Sequence, residues 1–491
     1  MHGRSALSLF IRIDPGSGAG LQQQIYDGVR RAILQGAAAP GARLPSSRSL
    51  AADLGVSRTT AVLALDQLVS EGYVTPRRGS GMFVAEELPD DPLDPGSAPS
   101  TAPRHPPFSR RSTALSAIPP PARRLPAGPA RPFRIGTPAL ELFPVGLWSR
   151  LASRRQRSLT AAQLDYGEPA GLPALREAIA AHVQAARGTR CDAGQVHVVA
   201  GAQRALDLVC RLLLDPGDEA WVEEPGYPGA WSALLSAGAR IVPVPVDAEG
   251  IDASAAAGRA RVFYVTPSHQ FPLGMPTSLR RRLALLKRAA DAGVWIVEDD
   301  YDSEFRHGAR PIPCLHGLDT DGRVIYLGSF SKSVFPALRL GFLIVPPDLG
   351  ELLSAARRSG AELSPPFLEQ AVLADFIAGG HFERHLRRMR TVYRERLAAL
   401  SAAAERFCGG ALRLRPVATG LHAVADLDGA DPERVCEEAR KRGVEVTPLS
   451  SYYVERSGAA GALVLGFGAV RPEGIERGMR QLAAAIEAAT R

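Results

Sequence analysis

Between residues 196 and 345 short apolar runs alternate with amphipathic stretches. Val196–Ala200, Ala220–Glu223, Arg261–Val265, Val294–Val297, Val324–Leu327 and Leu340–Val345 each predict a strand. Ala202–Leu214 and Leu279–Ala292 carry helical spacing. Strands alternating with helices predict an α/β unit with a mainly parallel sheet. Near the N-terminus the pattern differs. Leu21, Ile25, Val29, Ile33 and Leu34 form one helical stripe over Leu21–Leu34. Pro40-Gly41 predicts a turn. Ser47–Leu54 reads as a short helix capped by the serine before Arg48, broken by Gly55. Ser57 then caps Arg58–Ser70, with Val62, Leu65, Leu68 and Val69 turned inward. Two short strands, Tyr73–Thr75 and Met82–Val84, flank a basic glycine-rich tip. Helix, tight turn and capped helix make a helix-turn-helix, and the two strands make its wing.

Between these regions the composition shifts. Residues 88–132 hold thirteen prolines and few large apolar side chains, too little to offset the entropy of ordering. The expected organisation is a winged helix-turn-helix at 1–87, a linker at 88–132 and an α/β unit at 133–491.

The 491 residues suit two or three domains. Hydrophobic residues at 45% and charged residues at 22% exclude wholesale disorder and, with no Gly-X-Y period, collagen. Five scattered cysteines argue against a disulfide scaffold or a cysteine zinc site, and no metal site is expected. With neither a signal-like start nor a membrane-length apolar run, the expectation is a cytoplasmic protein. The net charge is +7, and residues 1–85, with nine arginines against five acids, hold more than half of it. That bias points to a polyanion partner. Only three residues are lysine: Lys287, Lys332 and Lys441.

In the small unit the second capped helix would present Arg58, Thr59 and Thr60 to base edges and phosphates of a major groove. Arg77 and Arg78 on the wing would reach backbone or minor groove. Arg43, Ser46 and Ser57 flank these positions as further candidates. The run Pro40-Gly41, Leu44-Pro45-Ser46-Ser47-Arg48, Leu50-Ala51, Val56-Ser57-Arg58-Thr59-Thr60 resembles the winged-helix domain of GntR-family regulators over residues 18–85. The resemblance implies that Arg48, Arg58 and Gly79 lie at double-stranded DNA.

In the large unit the candidate chemistry sits at strand ends, where open α/β sheets place ligands. Ala200-Gly201-Ala202-Gln203 joins a strand to a helix; this suits an anion or simply a tight turn. Asp299 and Tyr301 end an apolar strand; the carboxylate could bind a ring nitrogen, cap a helix or face solvent. Ser329-Phe330-Ser331-Lys332 puts a lysine just past a strand, as a Schiff-base amine or a surface residue. Arg339 follows as a phosphate clamp. Taken in order with Tyr227 in Glu224-Pro225-Gly226-Tyr227, the set resembles fold-type I pyridoxal-phosphate enzymes over residues 133–491. The resemblance implies that Lys332 carries pyridoxal 5′-phosphate as an aldimine and Asp299 pairs with its ring nitrogen. By the same resemblance Tyr301 donates to the ring oxygen and Tyr227 stacks on the ring. Gly201, Ala202, Ser329 and Arg339 hold the phosphate, with Gln203 and Ser331 beside them. Tyr166 reaches the phosphate of a neighbouring subunit, which implies a homodimer.

Two features depart from an aminotransferase. Thr266-Pro267-Ser268-His269-Gln270-Phe271-Pro272 stands where an asparagine touches the ring oxygen, so His269 or Gln270 is expected there. Val464 stands where a late-strand arginine binds the substrate carboxylate. Together with Glu298-Asp299-Asp300-Tyr301-Asp302-Ser303-Glu304-Phe305, these features resemble the MocR subfamily of GntR regulators. That implies a pyridoxal-phosphate-dependent transcriptional regulator sensing an amine or amino acid, or the cofactor itself. His422 and Arg471 are candidate effector contacts. The alternative is a working aminotransferase acting on a small amino compound.

Overall fold

The computed structural model describes residues 11, 13–14, 16–77, 79–89, 112–113, 130–255, 258–308, 312–359, 364–455 and 461–490. The chain divides into two compact units, Met1–Pro107 and Phe108–Arg491. Most of the expected linker and Arg78 lie outside the described residues.

The small unit has three helices, α1 (Leu21–Leu34), α2 (Ser47–Leu54) and α3 (Arg58–Ser70), and a hairpin of β1 (Val74–Arg77) and β2 (Gly81–Val84). Ile25, Val29, Leu50, Leu65 and Leu68 pack into one apolar cluster with Tyr73, Val74 and Val84. The buried face of α3 is Ala61, Ala64, Leu65 and Leu68, whereas Val62 and Val69 are half-buried. Alanines let the helices approach closely, a packing choice that size-based reading of an apolar stripe overlooks. The cap of α2 is Ser46 rather than Ser47; its Oγ accepts from Ser49 N at 3.1 Å.

The large unit is built on an eight-stranded sheet. Its strands are β3 (Val196–Val199), β4 (Glu219–Glu224), β5 (Arg240–Asp247), β6 (Gly250–Ile251), β7 (Ala260–Val265), β8 (Trp295–Asp300), β9 (Val324–Ser329) and β10 (Gly341–Ile344). The spatial order is β3-β10-β9-β8-β7-β4-β5-β6. β9, β8, β7, β4 and β5 run parallel, while β10 is antiparallel to both β3 and β9. An apolar run carries no direction, so β10's reversal has no sequence signature of its own. β8 extends through three acids because Asp299 and Asp300 pair with Leu327 and Gly328 of β9. β5 was not among the expected strands; Pro243 and Pro245 fit its place near the sheet edge. β9 is buried along its length, as a strand covered on both faces must be.

A second sheet of β11 (Leu412–Leu414), β12 (His422–Leu427), β13 (Thr447–Pro448) and β14 (Ala462–Gly466) is antiparallel throughout, in the order β11-β12-β14-β13. Helices His381–Cys408 and Pro472–Thr490 bury Leu386, Met389, Met479 and Leu482 in the same apolar cluster as Leu463 and Leu465 of β14. Phe133 bridges to Gly466, which docks the start of the large unit onto the end of β14. No described helix is long and apolar enough to cross a membrane.

Candidate functional site

A cavity of about 240 Å³ opens at the carboxyl ends of β7, β8 and β9. Strand alternation decides which acid of β8 faces it. Glu298 and Asp300 point away: Glu298 accepts the amides of Leu315 and His316, each at 2.9 Å, and Asp300 pairs with Arg187 Nε at 2.6 Å and accepts from Tyr326 at 2.7 Å. Asp299 points in. Its Oδ2 accepts from Tyr264 Oη at 2.6 Å, while its buried Oδ1 has no hydrogen-bond partner among the described residues. Burial pushes its pKa up to about 7, against the pull of the Tyr264 hydrogen bond. At 4% exposure and paired with Leu327 inside β8, Asp299 is neither a solvated turn nor a helix cap.

Lys332 lies across the cavity and donates from Nζ to the Gly136 carbonyl oxygen. Gly136 has φ +73°, and a Cβ there would sit 3.0 Å from that Nζ. Gly201, at φ +92°, precedes the helix Ala202–Leu213 without any side-chain cap, so its first amides stay available at the cavity. Arg339 also lines the cavity and holds a left-handed backbone at φ +53°, uncommon for a non-glycine residue and frequent at ligand clamps. A Cβ on Gly201 would lie 3.7 Å from Arg339 Cζ. Ala202, Gln203, Ser329 and Ser331 complete this end, with Gln203 Nε2 donating to Gly229 O at 2.8 Å. An unpartnered carboxyl oxygen and an amine line one cavity, and an arginine shares its end of the cavity with an uncapped helix start. That donor set suits an aromatic phosphate bearing a ring nitrogen and an aldehyde.

Tyr227 and Tyr301 also line the cavity. Burial pushes the Tyr301 phenol far up, so it stays protonated. Two expectations need correction. Gln270 is not on the cavity wall; its amide bonds Pro225 O at 2.8 Å, Phe271 O at 2.9 Å and Leu273 N at 3.0 Å, which fixes its own loop. His269 also stands off the wall, behind Tyr301, with the rings stacked at 5.4 Å and Nδ1 within 2.8 Å of Tyr301 Oη and 2.7 Å of Asp302 Oδ1. From this part of the chain it is Tyr264, Thr266 and Phe271 that reach the cavity. His422 lines it too; burial pushes its pKa down to about 4, and neutral Nε2–H donates to Pro272 O at 2.9 Å. His269, Asp302 and His422 bring three possible ligand atoms within 4.8 Å, though His269 Nδ1 and His422 Nε2 already have hydrogen-bond partners. Arg471 is exposed and off the cavity, and Tyr166 is 81% exposed. Val464 is fully buried in an apolar cluster with Val424, Leu449 and Tyr452.

Sequence reasoning did not find Arg134 and Glu445. Both line the cavity, paired through Arg134 Nε at 3.0 Å and a second guanidinium nitrogen at 2.9 Å. They stand 311 positions apart, and neither sits in a motif that marks it.

In the small unit Arg43, Ser46, Arg48, Ser57, Arg58 and Thr59 are exposed, Thr60 is half-buried and Gly79 sits exposed at the tip with φ +77°. Ser57 Oγ accepts from Thr60 N at 3.1 Å, so its hydroxyl holds the start of α3. Arg77 lies 4.6 Å over the Phe83 ring and 3.3 Å from Glu86.

Residues 21–84 match the model for bacterial regulatory proteins of the gntR family, and residues 150–477 match aminotransferase class I and II. The fold and site therefore define a GntR-type helix-turn-helix joined to a fold-type I aminotransferase domain. The probable rhizopine catabolism regulatory protein MocR of Rhizobium meliloti is 40% identical over 468 residues, covering 95% of this chain and 94% of the relative. The pyridoxine biosynthesis transcriptional regulator PdxR of Corynebacterium glutamicum is 33% identical over 93% of this chain and 94% of its own. The α-aminoadipate aminotransferase LysN of Thermus thermophilus, solved with N-(5′-phosphopyridoxyl)-L-leucine, superposes with a TM-score of 0.70 at 31% identity, covering 78% of this chain and 97% of LysN. The chain belongs to the MocR subfamily of GntR-family transcriptional regulators. Membership implies DNA binding through the small unit and, by family, pyridoxal-phosphate dependence in the large one.

Proposed function

We propose that this regulator holds pyridoxal 5′-phosphate on Lys332, reads an amine through it, and changes its affinity for an operator. The observation that carries the reading is the convergence of Lys332, the unpartnered Asp299 Oδ1 and Arg339 on one cavity. When bound, the group supplies an aldehyde that exchanges the lysine amine for the amine of an effector. Asp299 would hold a proton on the ring nitrogen, and Tyr301 would donate to the ring oxygen while its own position is set by His269 and Asp302. Arg339, Ser329 and the amides after Gly201 would take the phosphate. Tyr227 would stack on the ring. When not holding the group, Lys332 would be an ammonium with the Gly136 carbonyl as acceptor. A difference in contacts between the two states shifts the population of the large unit. As a homodimer with Tyr166 completing the neighbour's site, the protein would pass that shift to the spacing of two winged helices on half-sites.

The test is the visible absorption spectrum of the purified protein beside Lys332→Ala, titrated with amines, with operator binding followed in parallel. A band that an amine displaces stably, together with altered operator affinity, supports the reading. A band that bleaches and returns on adding a keto acid would identify a turning-over aminotransferase. No band in either protein after adding the cofactor refutes the cofactor assignment. Adding the cofactor alone tests whether it is itself the signal.

A further inference from the structure

On the reading that Lys332 carries the cofactor, we propose that the effector is a hydroxyl-bearing amine without a carboxylate, recognised by the Arg134–Glu445 pair. Three cationic side chains line the cavity: Lys332, Arg339 and Arg134. The first two belong to the cofactor. The charge of the third is balanced, since Arg134 Nε donates to Glu445 Oε2 at 3.0 Å, while Nη2, 2.9 Å from the same oxygen, makes no hydrogen bond among the described residues and remains a donor for a ligand. The side chains are 15% and 24% exposed, so water screens the pair only in part. The late strand adds no charge, because Val464 sits inside an apolar cluster. His422 is neutral. Among the described residues an incoming carboxylate therefore finds the charge of Arg134 already balanced, and it meets Glu445.

The backbone sets the pair in place. Phe133 bridges to Gly466, where a Cβ would fall 2.1 Å from the Arg134 carbonyl oxygen, so only glycine admits this segment. Glu445 N donates to Pro132 O at 3.0 Å, which ties the second member to the same segment. A hydroxyl both donates and accepts, so one such group can give its proton to Glu445 and take one from Arg134 without breaking the pair. Thr447 and Ser451 on the same lining extend this neutral polar surface.

The experiment uses the full-length protein loaded with pyridoxal phosphate and two matched pairs of probes: 2-amino-1,3-propanediol against L-serine, and D-glucosaminitol against D-glucosaminic acid. Each pair differs in a carboxylate. Binding is read by calorimetry and by displacement of the visible band. The carboxylate-free member is expected to bind at least about tenfold more tightly, since like charges placed together cost more than 1.4 kcal/mol. Glu445→Gln should narrow or invert that preference, and Arg134→Gln should weaken the hydroxylated amine without helping the acid. Equal or tighter binding of the acids to the unaltered protein overturns the proposal, as does failure of both hydroxylated amines to bind. Absence of the visible band after loading overturns the underlying cofactor reading instead.

Discussion

Asp299→Asn should raise the stability of the cofactor-free protein and lower its affinity for pyridoxal phosphate. The carboxyl is buried, with one oxygen held by Tyr264 and the other unpartnered. Desolvation lifts its pKa from 3.8 to about 7. Between those values the unfolded chain has released the proton while the folded chain keeps it. Stability therefore falls as pH rises through that window, by up to about 1.4 kcal/mol per unit, and levels off above about 7. The full penalty at pH 8 is about 4 kcal/mol, an upper figure because buried sites relax. Asparagine keeps the shape and an acceptor for Tyr264 but leaves amide hydrogens to satisfy, at roughly 1–3 kcal/mol. The net gain is about 1–3 kcal/mol at pH 8, shrinking toward zero or reversing at pH 5. The assay is thermal unfolding of both proteins without cofactor from pH 5 to pH 8, following the transition of the large unit. Glu223, also pushed up to about 7 by burial, titrates in both proteins and mostly cancels in the difference. With cofactor the sign reverses. Losing a charge-assisted hydrogen bond of about 1.5–3 kcal/mol weakens pyridoxal phosphate binding by about tenfold or more. A stability difference that is flat across this pH range would refute the desolvation argument. Unchanged cofactor affinity would refute Asp299 as the ring-nitrogen partner.

Other perturbations test separate links. Gly201→Ala forces a side chain into φ +92° and toward Arg339, so it should cost about 1–3 kcal/mol in thermal unfolding and weaken cofactor binding; a neutral result would remove Gly201 from the phosphate end. Ser57→Ala removes the cap of α3 and should cost about 1 kcal/mol, confined to the unfolding transition of the small unit. Operator affinity should fall steeply with salt, and Arg58→Ala should flatten the logarithmic slope by about one if that side chain neutralises a phosphate, measured by fluorescence anisotropy. An unchanged slope would place Arg58 off the backbone.

The elements that hold the site were legible because each rests on a local pattern. β7, β8 and β9 are short apolar runs, and α1 and Leu279–Ala292 have the expected bounds. What escaped depended on pairing or packing. β8 runs on through Asp299 and Asp300 only because β9 covers them. The α3 core uses Ala61 and Ala64, which carry weak hydrophobic signals. His269 and Gln270 looked like ring-oxygen contacts because they occupy the motif position. The loop instead turns Gln270 into its own brace and sets His269 behind Tyr301. Arg134 and Glu445 meet through the docking of residues 132–134 on β14, a tertiary event with no local trace.

On the proposed reading, the same cavity would explain how an aminotransferase fold serves as a receptor. Exchange of one amine for another needs Lys332, a protonated ring nitrogen and a fixed phosphate, and the residues suited to those tasks are all present. Turnover needs more: the bond to be broken at the carbon bearing the amine must be held at a set angle to the ring. In the aminotransferase pattern a cation on the late strand fixes that angle through the substrate carboxylate. Here Val464 fills that position with an apolar side chain in a cluster behind the cavity wall, and Arg134 is balanced by Glu445. On the proposed reading an amine would exchange with the lysine while its carbon lacked the anchor that aligns it for proton removal. A loss of alignment of this kind costs rate far more than binding. On that reading the bound state would outlast the binding event, which is the property a signal requires.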